Sequence, residues 1–308
     1  MKKILLAVGF TALMAGSAQA ENIGVSMALF DDNFLTVLRN GMQDYAGKMD
    51  DVKLQVEDAQ NDVSKQLSQI ETFIAQHVDA IIVNPVDTDA TPKMTALATE
   101  AGIPLVYVNR MPSDAQLPPK VSFVGSNEVD SGTLEMTEVC KLMGGKGDIL
   151  VIMGELSNQA ARQRTQDVHD VIATPACSGI KILEEQTANW SRTQGSDLMT
   201  NWISAGMKFD AVVSNNDEMA IGAIQSLKAA GYDMTKIIVS GIDATQDGLA
   251  AMEAGDLDVT VFQNAVAQGT GAVDTAVKLA KGEKVDPMVW VPFELVTPAN
   301  KDQYLAKN

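Results

Sequence analysis

Two cysteines, two histidines and 23 basic residues against 40 acidic ones are all that this 308-residue chain holds of those types. Each shortage excludes something. His77 and His169 sit in helix-period stretches with no cysteine at ligand spacing, so no zinc-type metal site is expected. The excess of acid excludes nucleic acid as a partner, because that binding rests largely on Lys and Arg set against phosphate. Beyond residue 15 no apolar run approaches the roughly 20 residues that cross a bilayer. Catalytic and phosphate-binding signatures are missing too: there is no GxSxG, HExxH, GxxxxGK[ST] or GxGxxG. No cofactor and no enzymatic activity are expected. Asp58-x-Gln60-x-Asp62 begins like a calcium loop, but Val63 and Gln69 stand where its central Gly and final Glu belong.

What is present starts with Met1-Lys2-Lys3, an apolar run over 4–15 and the small-residue ending Gly16-Ser-Ala-Gln-Ala20. That pattern describes a cleaved secretory signal over residues 1–20, with Glu21 as the mature terminus; a buried N-terminal helix is the alternative. Losing Lys2 and Lys3 leaves 21 basic residues against 40 acidic, a formal charge of −19. Such a surface favours solubility and says little about a neutral ligand. In an oxidising compartment Cys140 and Cys177 form a candidate disulfide, with two separate buried thiols as the alternative. Cys140 precedes the strand candidate at 148–153 and Cys177 the one at 180–184. Both would lie at the amino edge of a parallel sheet, within bonding range if those strands are neighbours.

Strand candidates fall at 23–27, 53–57, 80–83, 105–108, 122–124, 148–153, 180–184, 211–214, 237–240 and 259–262. Between them run helix-period segments such as 62–76 and 217–230, punctuated by Gly102, Pro104, Gly145, Gly147 and Gly231. Near-continuous apolar strands alternating with helices imply parallel sheets covered on both faces. Asp79-Ala-Ile-Ile-Val-Asn84 is echoed by Asp210-Ala-Val-Val-Ser-Asn215, each copy followed by an acidic, helix-opening segment. The fold class is therefore α/β, with two similar doubly wound lobes.

Open parallel sheets bind ligands beyond the carboxyl ends of their strands. Those ends carry Asp31, Asp32 and Phe34; Asn109 and Arg110; Trp190; Asn216 and Asp217; Asp243; and Gln263, while Arg164 follows the 148–153 strand. Carboxylates, guanidiniums and amides bond hydroxyl groups from both sides, and aromatic faces cover the C–H faces of a saturated ring. The set suits a polyol. Plainer readings exist for several members: Phe34 as core, Asp217 as a helix cap, Asp31 and Asp87 as solvated or capping, Arg162 as exposed. Trp190 lies in a polar loop between Asn189 and Ser191 and is harder to explain as core.

Val83-Asn-Pro-Val-Asp-Thr-Asp-Ala90, Val108-Asn-Arg110, Ala160-Ala-Arg-Gln-Arg164, Asn216-Asp-Glu-Met-Ala-Ile-Gly222, Gly241-Ile-Asp243 and Phe262-Gln263 resemble segments of the periplasmic sugar-binding proteins of ABC importers, the ribose, galactose and inositol group. The likeness spans the mature chain. It implies a periplasmic monomer of two lobes joined by a three-strand hinge, residues 21–125 plus 264–291 and residues 126–263 plus 292–308. It also implies a membrane permease as partner, with a chemoreceptor as a further one. Position by position it assigns Phe34, Arg110, Arg164, Trp190, Asn216, Asp243 and Gln263 to the ligand, with Asn109 where the family carries Asp. The long first loop, Ser26 to Phe34, and Glu185-Gln-Thr-Ala-Asn189 look most like the inositol- and rhizopine-binding branch. Arg110 and Arg164 offset Asp32 and Asp243, which suits an uncharged cyclitol; an inward-pointing Asp31 would admit an amino-cyclitol. A pentose or hexose such as ribose or galactose is the alternative ligand. A transcription regulator with this core would carry an N-terminal helix-turn-helix, where this chain has a signal sequence.

Overall fold

A computed structural model describes residues 20–307 of the chain. The expected secretory signal falls on residues outside that range, Ala20 apart.

Two sheets organise the molecule. The first contains β1 (Glu21–Met27), β2 (Val52–Asp58), β3 (Ala80–Val83), β4 (Leu105–Val108), β5 (Val121–Gly125) and a late arrival, β11 (Met288–Trp290). Their order is β11-β5-β4-β3-β1-β2, and every pairing is parallel. Alternate residues face opposite sides. Ile82, Val106 and Val108 pack under α1 (Asn33–Ala46) and α9 (Ala265–Ala280). Ile81, Val83, Leu105 and Tyr107 pack under α2 (Val63–Ala75) and α3 (Thr91–Ala101). Burial on both faces is why β3 and β4 read as unbroken apolar runs. Each fully buried aliphatic side chain contributes about 1.5–3 kcal/mol against exposure.

The second sheet runs β7-β6-β8-β9, built from β6 (Lys146–Met153), β7 (Gly179–Thr187), β8 (Ala211–Ser214) and β9 (Ile238–Ser240). Parallel bridges from Ser240 to Val259 and from Asp243 to Phe262 extend it to β10 (Thr260–Phe262). β10 pairs in turn with β12 (Glu294–Val296). Helices α4 (Glu128–Leu142) and α5 (Gln159–Ile172) cover one face. The other lies under α6 (Arg192–Ser204), α7 (Asp217–Ala229) and α8 (Gln246–Glu253).

The chain passes between the sheets three times: from β5 to α4, from β10 to α9, and from β11 to β12. This is the anticipated α/β architecture of two doubly wound lobes and a three-strand connection. It departs from expectation at one edge, where β12 runs antiparallel to β10, so the second lobe is not wholly parallel. Cys140 and Cys177 are joined, their Cα atoms 5.8 Å apart. β6 and β7 are indeed neighbours, paired at their amino ends from Lys146 and Gly179 onward.

Candidate ligand-binding site

The nine residues singled out at strand ends, Asp32, Phe34, Asn109, Arg110, Arg164, Trp190, Asn216, Asp243 and Gln263, all line one cavity. The first lobe supplies Asp32, Phe34, Asn109 and Arg110; the second supplies Arg164, Trp190, Asn216 and Asp243; Gln263 sits on the second crossing.

Local structure holds each group in place. Asp32 caps α1 by accepting from the Leu35 N–H at 2.7 Å, and Asn216 caps α7 by accepting from the Met219 N–H at 3.0 Å. Asn109, Trp190 and Asp243 have φ values of 67°, 64° and 123°, the left-handed region that side chains disfavour. Strain gathered at strand ends marks a functional region. Trp190 packs against the β6 carboxyl end: a Cβ added at Gly154 would come within 2.2 Å of the indole. Only glycine lets the ring lie there.

Arg164 is the electrostatic centre of the second lobe. Its Nε donates to Glu128 Oε2 at 2.8 Å, Nη1 to the Asn215 carbonyl at 2.7 Å and Nη2 to Gln263 Oε1 at 3.4 Å. Asp243 Oδ1 lies 4.0 Å from Nη1, and the guanidinium carbon lies 5.7 Å from the Trp190 ring centre. Burial opposes the Arg164 charge, but Glu128 and Asp243 outweigh it and raise its pKa. Arg110 donates through Nη1 to the carbonyls of Pro85 at 2.8 Å and Val86 at 3.4 Å. Burial lowers its pKa against the pull of Asp32 and Glu155. Desolvation raises the carboxyl pKa of Asp32, and that of Asp243 well above the usual range despite Arg164. Asn109 is fixed inside the first lobe, accepting from Asn84 Nδ2 at 3.3 Å and donating to Gln268 Oε1 at 3.2 Å.

An outer chamber adjoins the cavity and shares Asp32, Arg110 and Trp190 with it. Asp31 belongs to this chamber and not to the inner one. Across its rim Asn33 Nδ2 donates to Glu218 Oε1 at 2.8 Å and Asn61 Nδ2 to Glu155 Oε2 at 3.2 Å. Nearby the Thr88 N–H donates to the Ser157 carbonyl at 3.1 Å and Arg162 pairs with Asp89 at 3.0 Å. The lobes are therefore closed on each other at the mouth.

A family model described as a periplasmic binding protein domain matches residues 23–284. The chain belongs to the periplasmic binding protein family. It is 63% identical, over the whole of both chains, to a protein of Rhizobium meliloti named for rhizopine binding. It is 42% identical to an ABC transporter solute-binding protein of Bacillus halodurans solved with bound myo-inositol. That likeness covers 95% of this chain and 100% of that one, with a TM-score of 0.89. The myo-inositol-binding protein of Caulobacter, solved with its ligand, is 31% identical, covers 94% and 96%, and superposes with a TM-score of 0.86. The resemblance seen in the sequence segments is thus a family relationship over nearly the full length. Among the described residues no helix is long and apolar enough to cross a membrane.

Within this family member the cavity contains three residues that the strand-end reading did not name: Leu35, Glu128 and Ala160. Glu128 alters the charge count, since the lining holds three carboxyls against two guanidiniums instead of two against two. Its carboxylate is held by Arg164 and by Ser131, whose Oγ donates at 3.1 Å. Asp217 is not a cap. Fully buried, it accepts from the Thr245 N–H at 2.9 Å and Thr260 Oγ1 at 2.7 Å, and burial pushes its pKa up to about 7. Asp87 does cap, accepting from the Asp89 N–H at 2.8 Å. Phe34 is both core and cavity wall, only 7% exposed.

Proposed function

We propose that the chain is the periplasmic substrate-binding component of an ABC importer. It takes up myo-inositol or a closely related uncharged cyclitol between its lobes and passes it to the membrane permease without chemical change. One observation carries this reading: two aromatic side chains from opposite lobes, Phe34 and Trp190, meet hydrogen-bonding groups of both lobes in one cavity. A polyol ring needs that combination of apolar cover and edge-on donors and acceptors. Likeness to solute-binding proteins solved with myo-inositol supports the choice of ring. Asp31 stands in the outer chamber, away from the inner lining, so it places no further carboxyl beside the ring and an uncharged cyclitol is favoured over an amino-cyclitol.

In this reading residues 1–20 direct secretion, residues 21–125 plus 264–291 form one lobe, and residues 126–263 plus 292–308 form the other. The protein acts as a monomer, and a chemoreceptor is a second reader of its closed form. Trp190 and Phe34 cover the ring faces; Asp32, Asn109, Arg110, Arg164, Asn216, Asp243 and Gln263 read its hydroxyls.

Titration calorimetry with myo-inositol, against ribose and galactose, tests both the ligand and the residues. Asp243→Ala should cost about 2–5 kcal/mol, most of a micromolar affinity near −8 kcal/mol. Trp190→Phe keeps a ring face and should cost about 1 kcal/mol. Wild-type affinity in the Asp243 variant, with unchanged apo melting, would remove that residue from the site. Tighter binding of ribose or galactose than of myo-inositol would overturn the cyclitol assignment.

A further inference from the structure

Asn158 stands at the N-cap of α5, where an Asn side chain ordinarily accepts from its own helix. Here it makes no cap bond, whereas Asp32, Asp62, Ser191, Asn216, Thr245 and Asn264 all do so at their helices. The side chain is fully buried and turned to three other partners, the weakest being Ser157 Oγ, to which Nδ2 donates at 3.3 Å. Its Oδ1 accepts from Trp190 Nε1 at 2.9 Å, within the second lobe. Its Nδ2 donates to the Val86 carbonyl at 2.9 Å, on the first lobe. The same carbonyl accepts from Arg110, which lines the cavity from the first lobe.

We infer that Asn158 is a positioning residue that ties the ring face of Trp190 to closure of the first lobe over the ligand. The assignment rests on the proposed ligand site. An amide is the side chain that fits: one end accepts from an indole, the other donates to a carbonyl, and neither carries charge into a dry interface. The bond to Trp190 lies within one lobe and persists when the lobes part. The bond to Val86 crosses the cleft and exists only when they meet. Forgoing the helix cap leaves first-turn N–H groups less well satisfied, a loss that closure offsets by one buried hydrogen bond.

Two substitutions separate the halves of this arrangement. Asn158→Asp keeps an acceptor for the indole and can cap α5, but sets a carboxylate against the Val86 carbonyl. At pH 8 it should leave apo melting unchanged or higher and leave the Trp190 indole N–H signal in place. It should weaken myo-inositol binding by about ten- to a hundred-fold, through faster dissociation. Asn158→Ala should also shift the Trp190 indole signal, identified among the three tryptophans with Trp190→Phe. A merely structural Asn158 would lower apo melting in both variants and leave dissociation rates alike. Wild-type dissociation in Asn158→Asp overturns the assignment, as does an unmoved indole signal in Asn158→Ala. If wild-type protein binds no polyol, the function reading fails, and the indole signal of the two apo variants still decides the bond to Trp190.

Discussion

The two lobes share a plan and differ in the chemistry of their buried polar groups. In the first, uncharged side chains predominate. Gln66 donates to the Asn84 carbonyl at 3.0 Å and accepts from the Val86 N–H at 2.8 Å, Asn84 donates to Asn109, and Asn109 to Gln268. Gln268 then donates to Ser126 Oγ at 2.9 Å, on the first crossing. The second lobe adds buried carboxyls to its uncharged groups: Glu128, Glu135, Asp167, Asp217 and Asp243, with Arg164 among them. Glu135 accepts from Ser240 Oγ at 2.7 Å, and burial pushes its pKa up to about 8; burial brings Asp167 to about 7. Equal topology thus tolerates two solutions to the problem of buried polar groups. The carboxyl cluster responds to acidity and the amide chain does not.

The largest expected effect tests a constraint that only the second lobe has. Replacing Cys140 and Cys177 together by Ser opens a loop with a sequence separation of 37 and should cost about 3–4 kcal/mol of folding stability. Denaturant unfolding of oxidised and variant protein measures it, and binding should survive because the bond lies at the edge away from the cavity.

Next comes acidity. A carboxyl whose folded pKa is raised gives stability that is fully present below its unfolded pKa and is lost as pH climbs through the folded value. For Glu135 that window runs from about 4.5 to about 8. Apo stability should therefore fall between pH 5 and pH 8, by roughly 3 kcal/mol on account of Glu135 alone. Glu135→Gln should flatten the slope by that amount, leaving what belongs to Asp217 and Asp167. An unaltered slope would mean that the second lobe handles its acids as the first handles its amides.

The smallest effect is expected in the first lobe. Gln66→Ala strands the Val86 N–H and should cost about 1–3 kcal/mol, equally at pH 5 and pH 8. A pH-dependent loss would erase the contrast between the lobes.

Legibility in the sequence followed the same physics. β3 and β8 were readable because four buried residues, all apolar but Ser214, leave a continuous run. The site was readable because strand ends point at it. Glu128 escaped only because the rule was not carried past the strand at 122–124: the next residues, Gly125-Ser-Asn-Glu128, lead into the cavity. Ala160 lies one helical turn before Arg164 and shares its face. β11 and β12 were not readable, since three-residue strands owe their pairing to neighbours more than to their own side chains. The dual bonding of Asn158 was equally hidden, because an Asn before a helix reads as a cap.

The amide chain from Gln66 to Ser126 has one more consequence. Amides neither gain nor lose protons at any acidity an outer compartment meets. The frame that sets Asn109 against the first crossing keeps its shape in acid and in base. Changes in the surroundings act instead on the carboxyls of the cavity, Asp32 beside that frame and Asp243 opposite it.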